Sequence, residues 1–428
     1  MKYKTIQDTV HGSVKFYGPF LELLDTPEIQ RLHYIKQLGL TKLVFPGANH
    51  SRLEHSIGTY RVAERMADSL SLNQEEKKLV MAAALLHDVG HAPYSHTLEI
   101  VLKEVTGKDH MDITKQMITG KIVLKEERDD PTIPEILEDH GISPEKVSEL
   151  IKGRDERRKL TELNVHDGQK YFGEEKYLLQ IIHGPMDADQ LDYLLRDSYY
   201  TGAVHGIIDI ERLLQTIEIH NGNLVISKGG VSAIEGMLVA RGLMYSSVYL
   251  HKTARIAELM LAKAVDKLER PLDDIPLMTD WELFAFLQRE GGFYEEIVNR
   301  LKYRKLYKKC FSIPMDELDD AAGIDAQGVG SLDGIRRLEK EIALNRKIDE
   351  NYVLVDVPSK EIKLSEPRLR KTNVKILDDG MLYDLTKFSP LGRALQKRPT
   401  QPWALMVSCP EELKEDIARS ARKVIFRN

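Results

Sequence analysis

His87 and Asp88 stand at the end of Leu79–Leu86, a run that is apolar nearly all round, and Gly90 follows almost at once. A helix that buries such a run and ends in an imidazole beside a carboxylate needs a reason to bury them. Adjacent helical residues point about 100° apart, yet at a fraying C-terminus both can turn toward one ion. Imidazole and carboxylate together suit Mg, Mn, Fe, Zn or Ni better than any thiolate-preferring metal. Taken alone, the dipeptide is more often a hydrogen-bonded pair with no ligand. The distribution of histidine adds weight: His11, His33, His50, His55, His87, His91, His96, His110 and His140 all fall in the first third of the chain.

Two polar stripes lie outside that third. Asp189, Tyr193 and Asp197 recur at i, i+4, i+8, and Arg241, Tyr245, Tyr249 and Lys252 at i, i+4, i+8, i+11. On continuous helices each set shares a face. Arg and Lys at that spacing can clamp a polyphosphate while a tyrosine stacks on a base or sugar, although such stripes also serve as interhelix contacts. His96 and Glu99, at i,i+3, can pair so that the acid orients the imidazole for proton transfer.

The elements that must position these groups are mostly helical. From Phe20 to about Leu124 the apolar residues recur with helical spacing, punctuated by Gly39, Pro46-Gly47, Gly90 and Pro93. Residues 1–18 read as a short hairpin or irregular arm around His11-Gly12, and Asn221-Gly222-Asn223 between apolar runs signals a second hairpin. Asp187, after Gly184-Pro185, is placed to cap the helix carrying Asp189. The stretch 121–173, with three prolines and the Gly153–Arg158 charge cluster, reads as an exposed excursion or lid. Helical spacing implies helices from about Val231 to Leu268, continuing more weakly to Lys309, and short apolar runs after Asn351 imply strands. The expected fold is mainly α: a helical domain over 1–350 with short hairpins, and a small C-terminal α+β domain over 351–428.

Composition excludes several classes. At 428 residues with 42% hydrophobic content the chain can bury a sizeable core. Cys310 and Cys409 offer neither a disulfide framework nor a CxxC site and read as core residues. The net charge of −6 argues against a surface built to neutralise nucleic acid. No apolar stretch approaches the roughly 20 residues that span a bilayer, and Met1-Lys2-Tyr3-Lys4 opens no signal-peptide pattern, so a cytoplasmic location is expected.

The segment His87-Asp88-Val89-Gly90-His91-Ala92-Pro93-Tyr94-Ser95-His96 resembles the signature of the HD superfamily of phosphohydrolases. Arg52-Leu53-Glu54-His55 resembles the element supplying that family's first histidine, and Asp187-Ala188-Asp189-Gln190 its late aspartate. Asp25 to Gly39 followed by Phe45-Pro46-Gly47-Ala48 resembles the deoxynucleoside triphosphate triphosphohydrolase branch. The resemblance implies a divalent metal held by His55, His87, Asp88 and Asp189, and catalytic roles for His96, Glu99, His91 and His110. It implies a dNTP pocket using Gln37, Leu38, Arg52, Tyr193, Arg241, Tyr245, Tyr249 and Lys252. It also implies a nucleotide effector at Lys4, Asp25, Gln30, His33, Arg304 and Lys308, between subunits of a homo-oligomer, a tetramer in that branch.

The sequence departs from the branch in places. Glu99 stands where aspartate is usual, Met111 follows His110 in place of an acid, His33 replaces an arginine, and Gln190 and Leu250 replace a lysine and a glutamine of the mammalian enzyme. Two alternatives therefore stand beside dNTP hydrolysis. One is an HD phosphohydrolase acting on a nucleoside monophosphate, cyclic nucleotide or alarmone; the other is a nucleotide sensor without turnover, with Arg304 and Lys308 as its grip.

Overall fold

The structure, a computed structural model, describes residues 2–124, 130–160, 175–269, 271–314, 331–357, 374–395 and 403–426, with His96 and 154–160 described by backbone alone. It is mainly helical, as expected. The N-terminal arm is an antiparallel hairpin of β1 (Tyr3–Asp8) and β2 (Gly12–Tyr17), in register from Tyr3 opposite Tyr17 to Asp8 opposite Gly12. Two helices run through the main core. Arg52–Ser69 starts at a capping box in which the Ser51 side chain accepts from Glu54 N and Glu54 reaches back to Ser51 N. Gln74–Leu86 starts at a second box built on Asn73 and Glu76. These boxes satisfy backbone donors that a helix start otherwise leaves orphaned. Val80 to Leu86 are essentially inaccessible, so this helix is buried on every side along its second half.

The stretch 121–173, expected as an exposed helical excursion or lid, instead holds the helix Pro144–Leu160, whose described part is packed against the main core. Val147, Leu150 and Ile151 are buried in the main core, together with Ile133, Ile136, Leu137 and Ile142 before them. The described charges Glu145, Lys146, Glu149 and Lys152 are exposed or partly so. The Arg154–Arg158 side chains and residues 161–173 lie outside the described residues.

A second hairpin pairs β3 (Ile217–His220) with β4 (Asn223–Ser227) across Asn221-Gly222, at the expected place. Strands β5 (Lys308–Ile313), β6 (Leu354–Asp356) and β9 (Leu405–Cys409) form a sheet of order β5-β9-β6. Period-two alternation divides its faces: Leu354 and Met406 pack with the helix Lys252–Asp266, while Val355, Leu405 and Val407 pack with the helices Leu332–Leu344 and Lys414–Phe426. The remaining strands, β7 (Lys375–Asp378) and β8 (Met381–Asp384), join the β3-β4 hairpin through a parallel β4-β7 pairing. A division at 350/351 thus runs through both sheets: β5 precedes it, and the chain after it returns to the main core through Val374, Ile376 and Leu385.

The helical stretch from Val231 is also broken. The α-helix ends at Met244, a π-helical turn covers Tyr245–Tyr249, and a new helix begins at Lys252. Single π turns of this kind recur at functional sites.

Candidate functional site

His87 caps the buried helix Gln74–Leu86, and its Nδ1 lies 2.8 Å from the Ala84 carbonyl. That bond makes Nδ1 the donor and leaves the Nε2 lone pair facing away from the helix. The chain turns sharply after it because Gly90 allows the next element in: a Cβ there would sit 2.3 Å from Thr114 N and 2.5 Å from the His110 carbonyl. His55, one turn into the helix Arg52–Ser69, is oriented the same way, its Nδ1 donating to Asp192 Oδ2 at 2.7 Å. Asp189 lies in the first turn of the helix Ala188–Thr201, whose cap is Asp187, as expected, accepting from Gln190 N at 2.8 Å.

These elements converge. Ligand atoms of His55, His87 and Asp189 all lie within 4.8 Å of one another. Asp88 Oδ1 is 3.2 Å from His87 Nε2, and its Oδ2 is 4.0 Å from His55 Nε2 and 2.6 Å from Arg52 Nη1. The two imidazole Nε2 atoms face each other at 3.2 Å although each ring's other nitrogen is already a donor. Two lone pairs tolerate that approach only with a proton or cation between them. Burial opposes charge on His55, yet its hydrogen bonds to Asp189 and Asp192 outweigh this and push its pKa up to about 10. Burial likewise opposes the charged carboxylates, but Asp88 beside His87 and Arg52, and Asp189 bonded to His55, titrate well below the ordinary range. The pocket demands positive charge at one point, and an N/O donor set there fits a divalent ion.

A cleft of about 280 Å³ adjoins this point, lined by His91, Ser95, Glu99, Lys108 and His110. His91 Nε2 is 3.2 Å from Asp88 Oδ1, and its ring stacks on His110 with centroids 4.1 Å apart. Glu99, expected to orient His96, has its carboxylate on His110 Nδ1 at 2.5 Å. Burial, with Arg52 and His110 nearby, drives His91 to its neutral form; for His110 burial is outweighed by Glu99, which favours the imidazolium. The His96 side chain lies outside the described residues.

Along the helix from Asp189 the next turns carry Tyr193 and Asp197. Tyr249 donates to Asp197 Oδ2 at 2.6 Å and its ring meets those of Tyr193 and Tyr245 edge-on. His50 Nε2 lies 2.8 Å from Asp197 Oδ1, and the His50 carbonyl accepts from Gln37 N. Gln37 Oε1 is buried without a hydrogen-bond partner among the described residues, and Leu38 beside it is partly buried. Arg241 donates to Gln190 Oε1 at 2.8 Å. Lys252 does not share their helix face: the π turn ends that helix, and Lys252 opens the next one, exposed.

The expected effector residues fall into two groups. Lys4 Nζ meets Asp25 Oδ1 at 3.3 Å, and Gln30 donates to the Leu24 carbonyl; His33 is exposed nearby in sequence, beside Tyr34. Arg304, at positive φ, donates to the Leu43 carbonyl, and Lys308 lies 3.9 Å from Glu411.

A profile described as HD domain matches residues 52–197, and one described as HD associated region matches 208–426. A Methanocaldococcus jannaschii protein, uncharacterized, is 34% identical over 421 residues, covering 96% of this chain and 80% of its own. The chain belongs to the HD family. The HD relatives include the human deoxynucleoside triphosphate triphosphohydrolase SAMHD1, 28% identical over 346 residues, which are 71% of this chain and 54% of that one. Among solved structures, a hypothetical protein from Aquifex aeolicus superposes with a TM-score of 0.71 at 29% identity, covering 98% of this chain and all of that one. A phosphohydrolase from Bacteroides thetaiotaomicron shares the fold, with a TM-score of 0.68 at 22% identity. HD domains are metal-dependent phosphohydrolases, which agrees with the converging His/Asp set. No helix among the described residues is long and apolar enough to cross a membrane.

Sequence reasoning passed over His11, Asp192, Arg196, Arg31 and Asp280, all tied to this site. Asp192–Arg196 was visible as an i,i+4 acid–base pair, and Asp280 as the first residue after a capping Thr279. Their connection to the site arises only in three dimensions.

Proposed function

We propose that this chain hydrolyses deoxynucleoside triphosphates to deoxynucleoside and inorganic triphosphate. The observation that carries the reading is one helix, Ala188–Thr201, with Asp189 at the ion-demanding end and Asp197 eight residues on, beside Tyr193 and Tyr249. Eight residues span about 12 Å of helix, the scale of a nucleoside phosphate laid along it.

His55, His87, Asp88 and Asp189 would hold a divalent ion, which would supply water activation and charge neutralisation at the attacked phosphorus. The chain's own groups do the rest. Arg52, Arg241 and the His110 imidazolium face the phosphates, and Glu99 keeps His110 charged. His96 serves as the proton donor to the leaving 5′-oxygen. Tyr245, Tyr249, Gln37 and Leu38 hold the sugar and base, with Gln37 Oε1 available as an acceptor. A nucleotide effector at Lys4, Asp25, Gln30, His33, Arg304 and Lys308, bridging subunits of a homo-oligomer, a tetramer in the branch it resembles, would regulate this turnover. The match to SAMHD1 proteins supports the substrate class.

A second reading, a nucleotide with fewer phosphates, is favoured by Gln190. Its amide is consumed by Arg241, Asp187 and the Gly184 carbonyl, so this position contributes no cation to a phosphate chain. Incubation of the purified protein with each dNTP and Mn²⁺ or Mg²⁺, with products resolved by chromatography, separates the two. Nucleoside plus triphosphate is expected; orthophosphate or nucleoside monophosphate would refute the triphosphohydrolase reading.

A further inference from the structure

Four buried ionisable groups lie behind the metal centre and take no part in the chemistry described above. Asp192 is fully buried and accepts four hydrogen bonds: from His55 Nδ1 at 2.7 Å, from His11 Nε2 at 2.7 Å, and from Arg196 Nε and Nη2 at 2.9 Å each. Arg196 is inaccessible, and its Nη1 lies 2.9 Å from Asp8 Oδ2. Asp8 in turn accepts from the backbone N–H groups of Val10 and His11, closing the turn between β1 and β2. The space for this cluster is cut out of the neighbouring helix. A Cβ on Gly58 would lie 1.9 Å from Asp192 Oδ1 and 2.3 Å from Arg196 Nη2.

We propose that His11, delivered by the β1-β2 turn, is a positioning residue for the metal centre: with Arg196 it fixes Asp192, and Asp192 fixes the tautomer and direction of His55. The N-terminal hairpin is thereby part of the ion site, although none of its residues is a ligand. An imidazole ligand presents its Nε2 lone pair only while Nδ1–H stays bonded, and the acceptor of that bond must itself be held. Arg196 holds one edge of the Asp192 carboxylate. His11 shares Oδ1 with Arg196 Nη2, which leaves Oδ2 for His55 and Arg196 Nε. Removing a ligand's direct partner, here Asp192, lowers metal affinity roughly 10–100-fold in comparable sites, and His11 acts one bond further out. The proposal rests on the metal-centre reading of His55 and Asp189 and is independent of the substrate.

The test is Mn²⁺ binding by calorimetry on metal-stripped full-length protein, with circular dichroism and urea unfolding run alongside. His11→Ala is expected to weaken Mn²⁺ binding by about tenfold, at the lower end of the outer-shell range, while the helical signal is retained. His11→Gln, whose amide N–H can still donate to Asp192, is expected to recover most of that loss. Ser13→Ala, on the same hairpin but bonded outward to Gln7, is expected to bind like the wild type. Wild-type affinity in His11→Ala, or an equal loss in Ser13→Ala, would overturn the proposal. Absence of divalent-ion binding in the wild type itself would instead overturn the metal-centre reading beneath it.

Discussion

Gly58→Ala sets helix propensity against packing, and the two predict opposite signs. Gly58 sits in the middle of the helix Arg52–Ser69, where replacing glycine by alanine gains roughly 0.5–1 kcal/mol from backbone entropy. The added methyl, however, would lie 1.9 Å from Asp192 Oδ1, 2.6 Å from its Cγ and 2.3 Å from Arg196 Nη2. Neither partner can swing away, because Asp192 is held by His11 and His55, and Arg196 is inaccessible. Overpacking of this kind costs about 1–3 kcal/mol, rising to about 3–5 kcal/mol if the buried ion pair separates. After the propensity gain is subtracted, the net expectation is a destabilisation of about 0–4.5 kcal/mol, set against a gain at a site with open space. Gly236 is the control: it is exposed in the helix Val231–Met244 and a Cβ there meets nothing within 4 Å, so Gly236→Ala should stabilise by about 0.5–1 kcal/mol. Equilibrium urea unfolding of both variants and the wild type measures the difference. If Gly58→Ala proved as stable as Gly236→Ala, the close packing of Asp192 and Arg196 against this helix would be refuted.

Three further outcomes follow from the site's electrostatics. In metal-free protein the His55 pKa stands at about 10 against 6.5 for the free imidazole. Its proton therefore contributes stability fully below pH 6.5, and that contribution is lost as pH rises toward 10, by at most about 1.4 kcal/mol per unit. Thermal unfolding of chelator-treated protein should show this decline between pH 7 and 9, and saturating Mn²⁺ should flatten it; an unchanged slope would contradict the shared ion and proton position. Glu99→Gln removes the carboxylate that keeps His110 charged, so the alkaline limb of the pH–rate profile should move to lower pH, and a profile that kept its limb would exclude His110 as the cation. Tyr249→Phe deletes a hydrogen bond to the Asp197 carboxylate, a class of bond contributing about 1.5–3 kcal/mol. KM should rise on the order of tenfold with little change in kcat, and the reverse pattern would remove Tyr249 from the binding pocket.

How much of this was legible depends on the range of the interaction concerned. His87-Asp88 at a helix end, the Asp187 cap and the two hairpins are local features, governed by residues within one or two turns of each other, and each stands where the sequence placed it. The π turn at Tyr245–Tyr249 escaped because a periodicity argument assumes unbroken i to i−4 bonding, whereas Tyr249 is held by Asp197, a residue 52 positions away. That error misplaced Lys252. The C-terminal strands were recognisable as strands, but their partners were not: β7 reads like its neighbours, yet it pairs with β4, about 150 residues earlier, where Ile376 fills the main core. The charge-rich stretch 121–173 misled because a helix that carries Glu145, Lys146 and Glu149 on its surface can still bury Val147, Leu150 and Ile151. Glu99 illustrates the same limit within the site. Its i,i+3 spacing to His96 was a sound local inference, while its bond to His110 depends on how the helix His110–Ile118 packs back toward the helix Ser95–Thr106.

The His91-to-His96 loop is held by groups from distant parts of the chain. Arg31 is nearly inaccessible, and its guanidinium binds only carbonyls: His91 O at 2.7 and 3.0 Å, Pro276 O at 2.6 Å and Leu277 O at 2.9 Å. Burial lowers its pKa to about 10, still far above neutrality, so the charge persists and each carbonyl bond is charge-assisted. Three residues beyond Leu277, Asp280 accepts from Tyr94 N at 3.0 Å and from Lys36 N at 2.9 Å, 186 residues from Tyr94 in sequence. Tyr94 needs such an anchor because it adopts φ 48°, ψ 40°, a left-handed conformation that costs a non-glycine residue about 1–2 kcal/mol. The conformation turns the chain into the helix Ser95–Thr106, which carries His96 and Glu99. Residues 276–280 belong to the HD associated region, while the loop they fix belongs to the HD domain. Residues of the second matched region therefore anchor the backbone of the first at its candidate site.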